Sequence, residues 1–131
     1  AHATVEEIDQ LNILRAAQLA MCRALAELGA DYAIVDGPHL PRDLPCPGMA
    51  LVGGDARCLS VAAASIVAKV ARDRIMVDLA QQHPGYGWET NMGYPAKRHI
   101  SALQDLGVTP HHRRSFRPVH EILCRGKTIT P

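Results

Sequence analysis

An α/β architecture in which helices outweigh strands is the fold class this sequence predicts. Three observations lead there: long stretches with apolar residues at helical spacing, only two short apolar runs of strand character, and Gly/Pro clusters between them. Two strands make a poor core for 131 residues, because an independently stable sheet normally needs at least one more. The chain also opens on Ala1, already inside helical patterning. The expectation is therefore an incomplete fold whose strand-rich N-terminal part is missing.

The elements follow in order. Thr4, with Glu7 three positions later, forms a capping box. Ile8, Leu11, Leu14, Leu19, Met21, Leu25 and Leu28 then keep a helical period, as one helix or as two breaking near Asn12, with Gly29 as the stop. Tyr32 to Asp36 is a short apolar run closed by Gly37-Pro38, which reads as a buried strand ending in a carboxylate. Residues 37–48 carry Pro38, Pro41, Pro45 and Pro47 and read as loop; Met49 to Val52 is the second strand. Leu59 to Gln82, rich in Ala and free of Gly and Pro, is the strongest helix. A Gly/Pro-containing loop is expected from His83 to Pro95, a helix from Ala96 to Leu106 stopped by Gly107, a basic loop from Thr109 to Arg117, and a turn of helix after Pro118.

Composition narrows the class. The apolar share of 47% suits a globular chain, and the longest nearly apolar stretch, Leu59 to Ala68, is about half a membrane span. No basic-then-apolar leader opens the sequence, so neither a membrane anchor nor secretion is expected. Cys22, Cys46, Cys58 and Cys124 show no zinc spacing and read as reduced, cytoplasmic thiols. The net charge of +1 hides a split: residues 1–96 balance at −4, and residues 97–131 at +5 through Lys97, Arg98, Arg113, Arg114, Arg117, Arg125 and Lys127. Such asymmetry fits a polyanion partner, although charge by itself fits a solvated surface better.

Asp73 is the most informative residue. Ile66, Val70, Asp73, Val77 and Ala80 form one stripe on the long helix, so a carboxylate stands where an apolar side chain is expected. There it needs a partner or a cation, and Lys69 one turn earlier is the simple structural answer. Asp36 offers another. A carboxylate at a strand end and one on a helix face can converge on Mg²⁺ or Mn²⁺, which favour oxygen ligands. Two are too few for a full site, so a further acidic pair is expected elsewhere. Asp55 is read as a cap for the helix from Leu59. His111, His112, Arg113, Arg114 and Ser115 form a loop suited to phosphate oxygens. Tyr94, between Gly93 and Pro95, is the better stacking candidate, with Tyr86 and Trp88 read as packing residues.

These residues together resemble bacterial ribonuclease HII. The matching strings are Ile8-Asp9 with Asn12-Ile13, Val35-Asp36-Gly37, Gly54-Asp55-Ala56-Arg57, the run Ala62 to Asp73, Gly93-Tyr94-Pro95, and His111 to Phe116. The likeness runs from about Val5 to Leu123, so residues 1–123 are expected to be a partial ribonuclease HII domain and 124–131 a C-terminal tail. It implies a ribonuclease H-like fold and hydrolysis of the RNA strand in RNA–DNA hybrids, including single ribonucleotides in duplex DNA. It also implies four carboxylates and two Mg²⁺ or Mn²⁺ ions acting on an in-line displacement. On this resemblance Asp36 is the third carboxylate, Asp73 the fourth, and Tyr94 the tyrosine that packs on the sugar at the RNA–DNA junction.

The departures are specific. The family's first acidic pair, in a G-x-D-E-x-G-R-G motif that also reads the ribose hydroxyl, has no counterpart here. Gly53 stands where lysine is usual and Ala71 where threonine is. Asn91-Met92 stands for His-Lys, and Ala96 for threonine. The resemblance thus implies a cytoplasmic endoribonuclease, monomeric, acting on an RNA–DNA hybrid duplex, with the chain inactive by itself. The alternatives are a non-catalytic hybrid-binding module and an unstable fragment.

Overall fold

In the computed structural model, residues 1–126 are described; Lys127 and the rest of the expected tail to Pro131 lie outside them. The chain divides into two compact units, residues 1–68 and a second beginning at Lys69.

The first unit opens with α1 (Val5–Leu11), capped as its sequence dictates. Thr4 Oγ1 accepts the Glu7 N–H at 3.2 Å, and Glu7 Oε2 accepts the Thr4 N–H at 2.8 Å. Asn12 ends α1 and starts α2 (Ile13–Leu28): its Oδ1 accepts the N–H groups of Leu14 and Arg15 at 3.0 and 3.2 Å. Its φ of 71° with ψ 164° breaks the helical path, in a region that glycine enters far more readily than any other residue. Gly29, at φ 61°, stops α2 as expected. The Arg23 guanidinium reaches back to Glu7, with Nη1 to Oε2 at 2.9 Å, and so ties the two helices together.

β1 (Ala33–Asp36) and β2 (Gly48–Leu51) form a two-stranded parallel sheet, pairing Ala33 with Gly48 through to Asp36 with Leu51. The second strand begins and ends one residue earlier than expected. β1 is not buried throughout. Ala33 and Val35 face inward, whereas Ile34 and Asp36 are exposed, the alternation of a sheet covered on one face. At Gly48 the strands approach closely: a Cβ there would lie 2.7 Å from the Ala33 carbonyl oxygen and 2.8 Å from Leu44 Cδ2. A short helical turn, α3 (Gly54–Arg57), follows. Asp55 lies in its first turn, with Oδ1 accepting the Ala56 N–H at 2.9 Å. It therefore serves α3 and does not cap the long helix, as the sequence had suggested.

That long helix, α4, runs from Leu59 to Gln82, the bounds that the Ala-rich, Gly- and Pro-free stretch predicts. Its first ten residues belong to the first unit and the remainder to the second. The stripe expected to be buried is open: Ile66, Val70 and Val77 are all exposed.

In the second unit Gly87 opens a single turn, α5 (Trp88–Asn91), inside the segment expected to be loop. α6 (Lys97–Leu106) starts after Ala96 and stops at Gly107. α7 (Arg117–Cys124) has Pro118 in its first turn, where a missing N–H costs nothing, and runs eight residues, longer than the expected turn. The core consists of Tyr86, Trp88, Ala102, Leu103, Val108, Val119 and Ile122. Met76, Leu79 and Phe116 pack at its edge. Tyr86 and Trp88 stack with ring centroids 5.0 Å apart, which bears out their reading as packing residues. All four cysteines are free thiols, and no helix among the described residues is long and apolar enough to cross a membrane.

Candidate active site

Asp36 ends β1, and the N-terminus of α3 is folded onto it. Its Oδ1 accepts the Gly54 N–H at 2.8 Å. Gly54 is buried, and a Cβ there would press on Val61 Cγ1 at 3.3 Å and on Asp36 itself at 3.5 Å. The Gly-Asp pair noted in the sequence thus has a physical function: a residue without a side chain lets a backbone N–H fix one carboxylate oxygen. Gly53 precedes it at φ 65°, a left-handed angle at which a lysine would be strained.

In the second unit Asp73 is partly buried on α4. Lys69 Nζ donates to its Oδ2 from one turn earlier, and Arg72 Nη1 stands 3.9 Å from Oδ1. The salt bridge anticipated from the spacing of Lys69 and Asp73 is therefore present. An open hollow of about 310 Å³ runs along the same helix, lined by Val70, Asp73, Arg74, Val77 and Asp78.

The Arg72 guanidinium carbon lies 5.2 Å from the centre of the Tyr94 ring, a cation–π distance. Tyr94 is exposed, and its segment is held from the backbone. Gly93, at φ 77°, approaches Met76 so closely that a Cβ would sit 3.1 Å from its Cε. Asn91 Oδ1 accepts the Gly93 N–H at 2.8 Å, Asn91 Nδ2 donates to the Tyr86 carbonyl at 2.9 Å, and the Asn91 carbonyl accepts the Tyr94 N–H at 2.8 Å. Sequence reasoning noted Asn91 only as a departure from the resemblance and missed this clamp, along with the place of Arg72 beneath Tyr94.

The loop of paired histidines and arginines divides. His111 is exposed and its ring meets His83 edge-on at 5.2 Å; burial, and then the His83 imidazole, lower its pKa. Arg113 lies over the Phe116 ring at 5.3 Å, and Arg114 and Ser115 are exposed. His112 is buried and makes no surface for phosphate. Thr109 engages its Nδ1 and His99 its Nε2. Burial, and then the His99 imidazole, hold its pKa down to about 4.

The carboxylates have the right chemistry for a hard divalent ion, but the described residues contain no group of three or more His, Cys, Asp or Glu that could hold one. Asp73 is engaged by two cations, Lys69 and Arg72, and no larger acidic group stands among the described residues, so the donor set present does not fit a resident two-metal centre.

A family model described as Ribonuclease HII matches residues 1–119. The chain belongs to the ribonuclease HII family. Among its relatives, the ribonuclease HII of Paracoccus denitrificans is 70% identical, covering 98% of this chain and 62% of the relative. That of Roseobacter denitrificans is 62% identical over 99% of this chain and 67% of its own length. A Cereibacter sphaeroides ribonuclease HII is 63% identical over 100% and 63% respectively. The chain thus spans under two thirds of the first relative's length. Membership bears out the resemblance carried by the Ala62–Asp73 and His111–Phe116 strings. The helix-rich α/β arrangement with its small parallel sheet agrees with a ribonuclease H-like fold.

Proposed function

We propose that a protein of the relatives' length containing this chain is a cytoplasmic endoribonuclease. It hydrolyses the RNA strand of RNA–DNA hybrids and cuts at single ribonucleotides in duplex DNA. The observation that carries the reading is the cluster on one face of the second unit, where Asp73, Arg72 and an exposed Tyr94 follow one another. A flat ring beside a carboxylate is suited to stacking on a sugar or base next to a scissile phosphate. Arg113, Arg114, Ser115 and the exposed His111 supply phosphate contacts, and Asp36 and Asp73 are the chain's carboxylates for Mg²⁺ or Mn²⁺. The enzyme acts as a monomer.

The 131 residues by themselves bind hybrid weakly and do not cut it, because two carboxylates are too few for two-metal hydrolysis. The test is an assay on duplex DNA carrying one embedded ribonucleotide, in Mg²⁺ and in Mn²⁺. Efficient cutting by the purified chain would overturn its inactivity. A version extended to the relatives' length should cut, and Asp36→Asn or Asp73→Asn should each abolish that cutting. If the extended protein leaves the ribonucleotide intact, the endoribonuclease reading fails.

A further inference from the structure

His99 and His112 are buried, and the substrate-facing surface does not use their rings directly. Their hydrogen bonds can be assigned from groups with no freedom of role. The Thr109 backbone N–H only donates, and it points at His112 Nδ1 from 2.9 Å, so that nitrogen accepts. Thr109 Oγ1 stands 2.9 Å from the same nitrogen and accepts the His111 N–H at 3.3 Å, so its hydroxyl proton is available to His112 as well. A neutral His112 then carries its proton on Nε2, which lies 3.1 Å from His99 Nε2.

From the other side, the Trp88 indole N–H only donates, and it points at His99 Nε2 from 3.2 Å. That nitrogen accepts as well, and the His99 proton resides on Nδ1. His99 Nδ1 is 3.0 Å from the Tyr94 carbonyl, which only accepts. Two independent assignments therefore meet without conflict in a single directed chain, from Thr109 through His112 and His99 to the Tyr94 backbone. Every buried side-chain nitrogen and oxygen among the described residues finds a partner.

The chain works only with both imidazoles neutral. A proton on His112 Nδ1 would face the Thr109 N–H, and one on His99 Nε2 would face two N–H groups. The groups around the pair are the Tyr86 and Trp88 rings, centred 5.2 and 5.1 Å from His112. His83 stands 6.0 Å from Trp88, and His111 lies beyond His83. Arg98, adjacent to His99 on α6, is turned to Glu89 at 3.4 Å.

We propose that His99 and His112 are positioning residues for Tyr94: the buried imidazole pair fixes the Tyr94 carbonyl, and with it the aim of the exposed ring over Arg72. The proposal deepens the functional reading above and rests on it for the claim that Tyr94 meets substrate. A proton on His112 Nδ1 breaks its contact with the Thr109 N–H and loosens the chain of bonds to the segment, so the placement of Tyr94 is sensitive to acid. His112, whose pKa is held down to about 4 by burial, sets the midpoint.

The test uses the 131-residue chain. Long-range ¹H–¹⁵N spectra of the histidine rings at neutral pH should show His112 protonated on Nε2 and His99 on Nδ1. Amide protection factors at Gly93, Tyr94 and Ala96, taken against the intrinsic exchange rate at each pH, should be high at neutral pH and fall more than tenfold as His112 titrates, before those of the core amides of α6 do. The opposite tautomer at either ring overturns the proposal, as does a Tyr94 segment that stays protected once His112 is charged. His99→Asn keeps an N–H donor at the Nδ1 position and removes the link to His112. It should preserve the Tyr94 protection and lose its acid sensitivity, an outcome that a merely structural role does not produce. In hybrid-binding titrations His99→Ala should weaken affinity about tenfold in the wild-type background and leave a Tyr94→Ala background unchanged; equal losses in both backgrounds overturn it. If the wild-type chain binds no hybrid, the functional reading fails while the spectra still decide the positioning claim.

Discussion

The Arg72 guanidinium lies 5.2 Å from the Tyr94 ring centre, on the residue that directly precedes Asp73. A carboxylate, a cation and an aromatic face thus follow one another along a single helix and the loop beside it. Stacking of a base or sugar on such a ring is worth about 1–3 kcal/mol, so Tyr94→Ala should weaken binding of an RNA–DNA hybrid roughly tenfold to a hundredfold. Tyr94→Phe should keep most of the affinity. Arg72→Ala, which removes the support under the ring, should cost less than the loss of the ring. Fluorescence anisotropy with a labelled hybrid measures all three, and equal affinities for Tyr94→Ala and the wild type would contradict the assignment.

Arg113 and Arg114 should reveal themselves through salt. Each phosphate contact contributes about 0.7–0.9 to the slope of log K against log salt concentration. Replacing both arginines by alanine should lower that slope by roughly one to two units. An unchanged slope with reduced affinity would place them in packing, a plausible role for Arg113 over the Phe116 ring.

Acid should destabilise the second unit through His112. Its pKa in the folded chain is held down to about 4, against an ordinary value of about 6.5 in the unfolded chain. Between these values the unfolded state binds the extra proton. The stability contribution is therefore complete above about pH 6.5, falls as pH drops toward 4, and levels off below that. The span corresponds to on the order of 3 kcal/mol. Urea melts followed by Trp88 emission, between pH 7.5 and 4.5, should show this slope, and His112→Gln should flatten it.

Asn12 should resist replacement for two separable reasons. Its side chain caps α2 and its φ is 71°. Asn12→Gly keeps access to that angle and loses the side-chain cap, for only about 0.3 kcal/mol. Asn12→Ala loses both and should cost about 1 kcal/mol more. Thermal melts of the two variants separate cap from conformation, and equal melting temperatures would mean that the left-handed angle carries no penalty.

What the sequence made legible was local. The Thr4–Glu7 box, the break at Asn12, the stop at Gly29 and the bounds of α4 each depend on residues a few positions apart. Asp73 stood out because a charge interrupts an apolar stripe, and Lys69 one turn away was its visible partner. The single turns α3 and α5 escaped because they are fixed by backbone contacts and left-handed glycines with no periodic signal. Asn91, Thr109 and His99 escaped because their work is done on neighbours in space. His99 could have been found by the argument applied to Asp73, since it shares the buried face of α6 with Ala102 and Leu103.

The strand pair has a consequence for inheritance. At Gly48 the Ala33 carbonyl oxygen is 2.7 Å from where a methyl group would begin, and every amino-acid change that one base substitution can make in a glycine codon adds at least that methyl. Keeping this strand pairing therefore leaves the gene only silent routes of change at this codon.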